Sequence, residues 1–224
     1  MTHEMSGLSV ETIVTGDWKE NCYVITDRAS GDVAIIDPGD DFDLISPKVT
    51  VPGTQVRHIL ITHGHYDHVG AVVALSEDTG VPCSIHENDL ALLRRAPLYA
   101  LALIKKQILA PQLITPFAGT QAFPIGDFAI NAWPTPGHTA GSVCFQISGC
   151  VFTGDTLFRE KTGRTDVPGG SRDDLAGSMG FLMSHLEDDT LILPGHGQSW
   201  NQEEARAWWD SGAVAVESDD EAAW

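Results

Sequence analysis

Alternating and continuous apolar runs divide this chain into short β-type segments separated by turn residues. Residues 8–14 and 21–26 have the composition of short strands, and residues 32–36 form another that stops at Asp37, Pro38 and Gly39. Asp37 is read as a turn former, with a carboxylate that orients a ligating histidine as the alternative. The run HILIT at 58–62 is a further strand. Residues 69–75 read as a buried helix closed by Gly80, and residues 81–85 as a strand, after which Asn88 or Asp89 suits a helix cap. His86 has no partner at ligand spacing and reads as a loop residue. Across 96–117, Leu98, Leu101, Ile104 and Ile108 recur at helical intervals, which predicts a core or subunit-contact helix; a lid over a cleft, with Lys105 or Lys106 meeting an anionic substrate, is the alternative. Residues 173–186 and 202–209 are helical in pattern, with Trp208 and Trp209 packing against the body.

The second half of the chain repeats one arrangement three times. FAINAWPTPG leads to His138, CVFTG to Asp155 and TLILPG to His196. With HILIT before His63, four strand ends each deliver a residue able to bind a metal. Glycines at 137, 154 and 195 allow close backbone approach there.

Composition narrows the partners. The 224 residues carry 13 Lys and Arg against 31 Asp and Glu, a net charge of −18, which repels nucleic acid and anionic lipid surfaces. The N-terminus lacks the basic start and apolar run of a secretory signal, so the expectation is a cytoplasmic protein without nucleic-acid or membrane partners. Residues 1–212 are read as one domain and residues 213–224 as an acidic tail. Cys22, Cys83, Cys144 and Cys150 form no CxxC pair and read as buried free thiols.

The chemistry concentrates in THGHYDHVG at 62–70, which holds His63, His65, Asp67 and His68. In extended chain, alternate residues project to one side, so His63, His65 and Asp67 can converge where a helix would scatter them. His63 and His65 can share one metal ion; Asp67 and His68 are better aimed at a second. Imidazole with carboxylate is a ligand set for zinc or non-haem iron. Arg164 and Asp166, farther on, read as a paired loop anchor.

These stretches, with PGHT at 136–139, FTGDTLF at 152–158, GRTD at 163–166 and PGHG at 194–197, resemble the metallo-β-lactamase superfamily, in its glyoxalase II-like branch. The resemblance covers about residues 12–198. It implies an α/β fold, a four-layer αββα sandwich with the metal site at one edge of two sheets. It also implies one ion on His63, His65 and His138, a second on Asp67, His68 and His196, and Asp155 bridging both. Two Zn2+ ions would then serve a hydrolase of small-molecule thioesters, with Asp67 accepting a hydrogen bond from the attacking hydroxide. The alternative is a persulfide dioxygenase with one Fe2+ on His63, His138 and Asp155; a lactonase or a non-catalytic metal-binding scaffold are lesser readings. Lactamases proper place a cysteine where this chain has Asp155.

Overall fold

The chain begins with antiparallel strands β1 (Thr2–Glu4), β2 (Leu8–Thr15), β3 (Glu20–Asp27) and β4 (Asp32–Ile36). Helix α1 (Phe42–Val49) then leads to β5 (Gln55–Leu60), α2 (Val72–Thr79) to β6 (Cys83–His86), and α3 (Leu90–Ile104) to β7 (Ile114–Phe117). Each of these helices is a crossover between parallel neighbours, the connection parallel pairing requires. The computed structural model describes residues 1–212, and the acidic tail expected at 213–224 lies outside them. Among the described residues these seven strands form one sheet in chain order.

A second sheet contains β8 (Gln121–Ile125), β9 (Phe128–Pro134), β10 (Val143–Ile147) and β11 (Cys150–Gly154) as an antiparallel meander. After the small hairpin β12 (Leu157–Phe158) and β13 (Lys161–Thr162), helix α4 (Arg172–His185) carries the chain back to β14 (Leu191–Pro194), parallel to β11. The edge strand β15 (Trp200–Asn201) leads into α5 (Gln202–Asp210). Asn201 caps α5 in a reciprocal box: its Oδ1 accepts from Glu204 N at 2.8 Å.

Period-two alternation explains why the two sheets stack. In β3, Tyr23 and Ile25 enter the core between the sheets while Cys22 and Val24 face the helices on the other side. In the second sheet, Phe145 and Phe152 meet them from across, and Cys144 and Val151 turn toward α4 and α5. A strand apolar on both faces must be covered on both, so each sheet takes helices on its outer side. The result is the αββα order: helices α1 to α3, two sheets, then α4 and α5. Trp208 packs in the outermost core beside Trp200, their ring centroids 5.9 Å apart.

Two segments depart from expectation. Helix α1 follows no strong periodic signal; Ile45 and Val49 are its buried residues, Phe42 packs partly buried against the same core, and Pro47 lies inside it. The expected helix at 96–117 begins earlier, at Leu90, and stops at Lys105, whose φ of 58° is left-handed. It buries small residues, Ala96 and Ala100, with Leu93, and leaves Leu98 and Leu101 exposed. Ile108 lies beyond the helix and packs partly buried against the outer core.

Candidate metal centre

The four strand ends meet at one edge of the sandwich. His63 follows β5, His138 follows β9, Asp155 follows β11 and His196 follows β14, while Asp67 and His68 sit in a single 3-10 turn, Tyr66–His68. His65 stays extended before that turn, with φ −72° and ψ 151°, and so can point back toward His63. Gly195 permits the close approach: a Cβ there would lie 2.3 Å from Asp155 Oδ1. Gly154 likewise has φ 47°, and a Cβ would meet Thr62 Oγ1 at 2.5 Å.

Seven side chains converge in two groups. His65 Nδ1 lies 3.0 Å from both His63 Nε2 and His138 Nε2. On the other side, Asp67 Oδ2 lies 3.2 Å from His196 Nε2 and 3.7 Å from His68 Nε2. Asp155 touches both groups. Its Oδ2 is 3.7 Å from His138 Nε2 and 3.8 Å from His196 Nε2, and its Oδ1 is 3.4 Å from His68 Nε2.

Hydrogen bonds at the far ring nitrogens assign what each imidazole presents to the centre. His138 Nδ1 donates to the Arg164 carbonyl at 2.8 Å, and His196 Nδ1 donates to the Trp18 carbonyl at 3.0 Å. His68 Nδ1 donates to Asp37 Oδ2 at 2.9 Å. Thr62 Oγ1 donates to the same carboxylate oxygen at 2.6 Å and therefore accepts from His63 Nδ1 at 3.1 Å. Four histidines thus turn Nε2 inward, and His65 turns its Nδ1.

Asp37 corrects the turn-former reading. It does sit at a turn, with φ 49°, but its carboxylate is buried and takes three donors: Thr62 N at 2.7 Å, Thr62 Oγ1 and His68 Nδ1. One carboxylate therefore orients both His63 and His68. Asp89 is the second correction. It stands at the cap position of α3 without capping it; its buried carboxylate accepts from Gly64 N at 2.8 Å, Thr139 Oγ1 at 2.7 Å and Gly141 N at 2.7 Å. That ties the His65 loop to the His138 loop. Glu20 is also buried here, its Oε2 accepting from Thr15 Oγ1 at 2.7 Å, and burial pushes its carboxyl well above the ordinary range.

Burial holds the imidazoles of His63 and His65 neutral, the latter pushed down to about 3. For His68, burial works the same way, but the carboxylates of Asp155, Asp67 and Asp37 outweigh it and favour the charged ring. Burial opposes ionisation of Asp155 as well, and the neighbouring His196 and His68 overcome it. Two ring nitrogens, His63 Nε2 and His138 Nε2, crowd His65 Nδ1 at 3.0 Å, and a proton on Nδ1 could serve only one of them, whereas a cation among the three would serve all. His68 Nε2 and Asp155 Oδ1 are moreover buried without a hydrogen-bond partner. The cluster of histidines and carboxylates therefore fits a divalent metal site of the nitrogen and oxygen ligand type.

His86 lies outside the cluster. It is buried at the end of β6, its Nδ1 accepting from Asn88 N and its ring 5.7 Å from Phe117. Arg164 forms a two-pronged ion pair with Asp166, and the loop so anchored is the one whose carbonyl orients His138. From the 96–117 segment, Ile104, Lys106 and Ile108 reach the cleft beside Asp67, together with Trp18 and Tyr66, and Lys106 pairs with Asp40 at its rim. The four cysteines are free and buried. Among the described residues no helix is long and apolar enough to cross a membrane.

The family model of the metallo-beta-lactamase superfamily matches residues 15–196. Hydroxyacylglutathione hydrolase GloC of Haemophilus influenzae is 31% identical over 195 residues, which span 85% of this chain and 91% of that protein. The crystal structure of TTHA1623 in a di-iron-bound form matches with a TM-score of 0.78 at 34% identity, covering 88% of this chain and 97% of that one. ETHE1 from Myxococcus xanthus matches with a TM-score of 0.72 at 25% identity, covering 88% and 81%. The family match takes in every strand end that carries the cluster, and the chain belongs to the metallo-beta-lactamase superfamily.

Proposed function

We propose that the protein is a binuclear metal-dependent hydrolase of thioesters of a small thiol, in the glyoxalase II-like branch of the superfamily. The observation that carries this reading is the position of Asp155, in contact with both groups of ligand-type side chains at once. In it, His63, His65 and His138 hold one ion, Asp67, His68 and His196 hold the other, and Asp155 is shared. Zinc is the metal favoured by this ligand set, and iron is the alternative that the di-iron form of TTHA1623 supports.

Divalent ions bound there would supply Lewis acidity and a water of lowered pKa. The chain's residues do the rest. Asp67 accepts a hydrogen bond from the attacking water and aims its lone pair at the carbonyl carbon. Asp37 and the carbonyls of Trp18 and Arg164 hold the imidazoles in the tautomers described above. The leaving thiolate, whose conjugate acid has a pKa of about 8.5, needs little help from a general acid. The name of the Haemophilus influenzae relative, a hydroxyacylglutathione hydrolase, supports a thioester as substrate.

The test is elemental analysis of protein purified without added metal, alongside assays with S-lactoylglutathione and with glutathione persulfide. Near two zinc ions per chain with thioester turnover is the expected result. One iron per chain with thiol-dependent oxygen uptake would replace the hydrolase with the dioxygenase.

A further inference from the structure

On the outer face of the second sheet, away from the metal centre, lies a cleft of about 160 Å3. It forms where α4 ends at His185 and leaves part of the sheet uncovered. Trp133 of β9 and Gln146 of β10 make its floor, and His185, Glu187 and Thr190 its walls. A volume near 150 Å3 is enough to admit a molecule the size of benzene.

The groups around the cleft favour one kind of charge. The indole of Trp133 meets the ring of Phe181 edge-on, centroids 5.7 Å apart at 86°, and that of His185 at 6.0 Å and 62°. Phe181 and His185 stack nearly parallel at 4.0 Å with the Trp133 indole set across them, and of the three rings Trp133 and His185 line the cleft. His185 Nδ1 donates to the Phe181 carbonyl at 2.8 Å, which leaves Nε2 as an acceptor. Glu187 adds a carboxylate two residues on. Gln146 Oε1 accepts from Asn131 Nδ2 at 3.0 Å, which leaves Gln146 Nε2 as a donor for a ligand oxygen. No lysine or arginine lines the cleft among the described residues, and Arg206 of α5 donates to the Leu186 carbonyl at 2.6 Å.

An indole with a carboxylate beside it is a combination that recognises alkylammonium groups, because the negative face of the ring replaces part of the cation's hydration. The net charge of −18 adds a field of the same sign. We propose that this cleft is a binding site for a small organic cation of the alkylammonium class, separate from the hydrolytic centre.

Calorimetric titration with choline and with 3,3-dimethyl-1-butanol, its neutral isostere, at matched ionic strength tests the proposal. Choline should saturate a single site, and the neutral isostere should bind roughly tenfold more weakly, the difference a partly desolvated cation–π contact makes. Glu187→Gln should weaken choline binding several-fold, and Trp133→Leu should weaken it roughly tenfold. Thioester turnover should remain at the wild-type level in both. Glu187 is exposed, so its variant answers the question even where Trp133→Leu compromises folding. Equal binding of the isostere, choline titrations that never saturate, or affinity unchanged in Glu187→Gln would each overturn it.

Discussion

Asp37→Asn isolates the charge of one buried carboxylate from its backbone role, since asparagine tolerates the left-handed conformation at φ 49°. Asp37 accepts from Thr62 N on one oxygen and from Thr62 Oγ1 and His68 Nδ1 on the other. An asparagine has one oxygen to offer. If its oxygen keeps Thr62 N, its amide group faces His68, whose ring must take the other tautomer and accept on Nδ1. The proton then sits on Nε2, and no lone pair is left there for an ion held beside Asp67 and Asp155. Charge-assisted hydrogen bonds contribute about 1.5–3 kcal/mol each. One is lost and the others become neutral, so the variant should be destabilised by about 2–4 kcal/mol. At about 2–4 °C per kcal/mol for a chain of this size, its Tm should fall by roughly 5–15 °C. Metal affinity at the site of Asp67, His68 and His196 should drop about 10- to 100-fold, the usual effect of losing a group that orients a ligand. Competition with a chromophoric chelator reads the affinity, and thermal melting followed by circular dichroism reads the stability. Wild-type affinity for both ions in Asp37→Asn would refute the orienting role.

Asp155→Ala should retain the wild-type circular dichroism spectrum and lose thioester turnover; turnover at the wild-type rate would exclude the shared-ligand mechanism. Gly195→Ala places a methyl 2.3 Å from Asp155 Oδ1 and 2.8 Å from His68 Cε1, and should cost about 1–3 kcal/mol together with bound metal, read by melting and elemental analysis. Asp89→Ala strands the donors of Gly64, Thr139 and Gly141, and a loss of about 3–5 kcal/mol should appear in denaturant titration. Burial raises the thiols of Cys83 to about 11 and of Cys144 and Cys150 to about 12. None should react with a disulfide reagent at pH 8 until the chain is unfolded. The raised values also set the sign of a stability change: the folded state keeps these protons while the unfolded chain gives them up, so stability is full below about pH 9 and declines as the pH climbs toward 12.

The strand ends were legible because each carries its own signature: an apolar run, a small or proline-containing turn, then a histidine or aspartate. HILIT before His63 and TLILPG before His196 need no knowledge of the fold to be noticed. The supporting carboxylates carry no such mark. Asp37 acts on residues 25 and 31 positions away, and Asp89 on residues 25, 50 and 52 positions away, so only the folded chain reveals the pairing. Both were masked by an adequate local explanation, a turn for Asp37 and a helix cap for Asp89. In the 96–117 segment the helical period of the leucines was real over Leu98 to Ile104, but period alone does not say which face is buried. Here the close packing of α3 selects Ala96 and Ala100, and the leucines go to solvent. Helix α1 is not legible in the sequence for want of length: eight residues with two buried anchors give too few turns to establish a period.

Equilibrium metal stoichiometry, by plasma mass spectrometry on protein loaded with zinc and then freed of excess, tests the paired ligand groups most directly. Two ions per chain in the wild type, falling to one in His196→Ala, is the result expected from side chains converging in two sets around Asp155. A wild-type chain that retains no ion would contradict it.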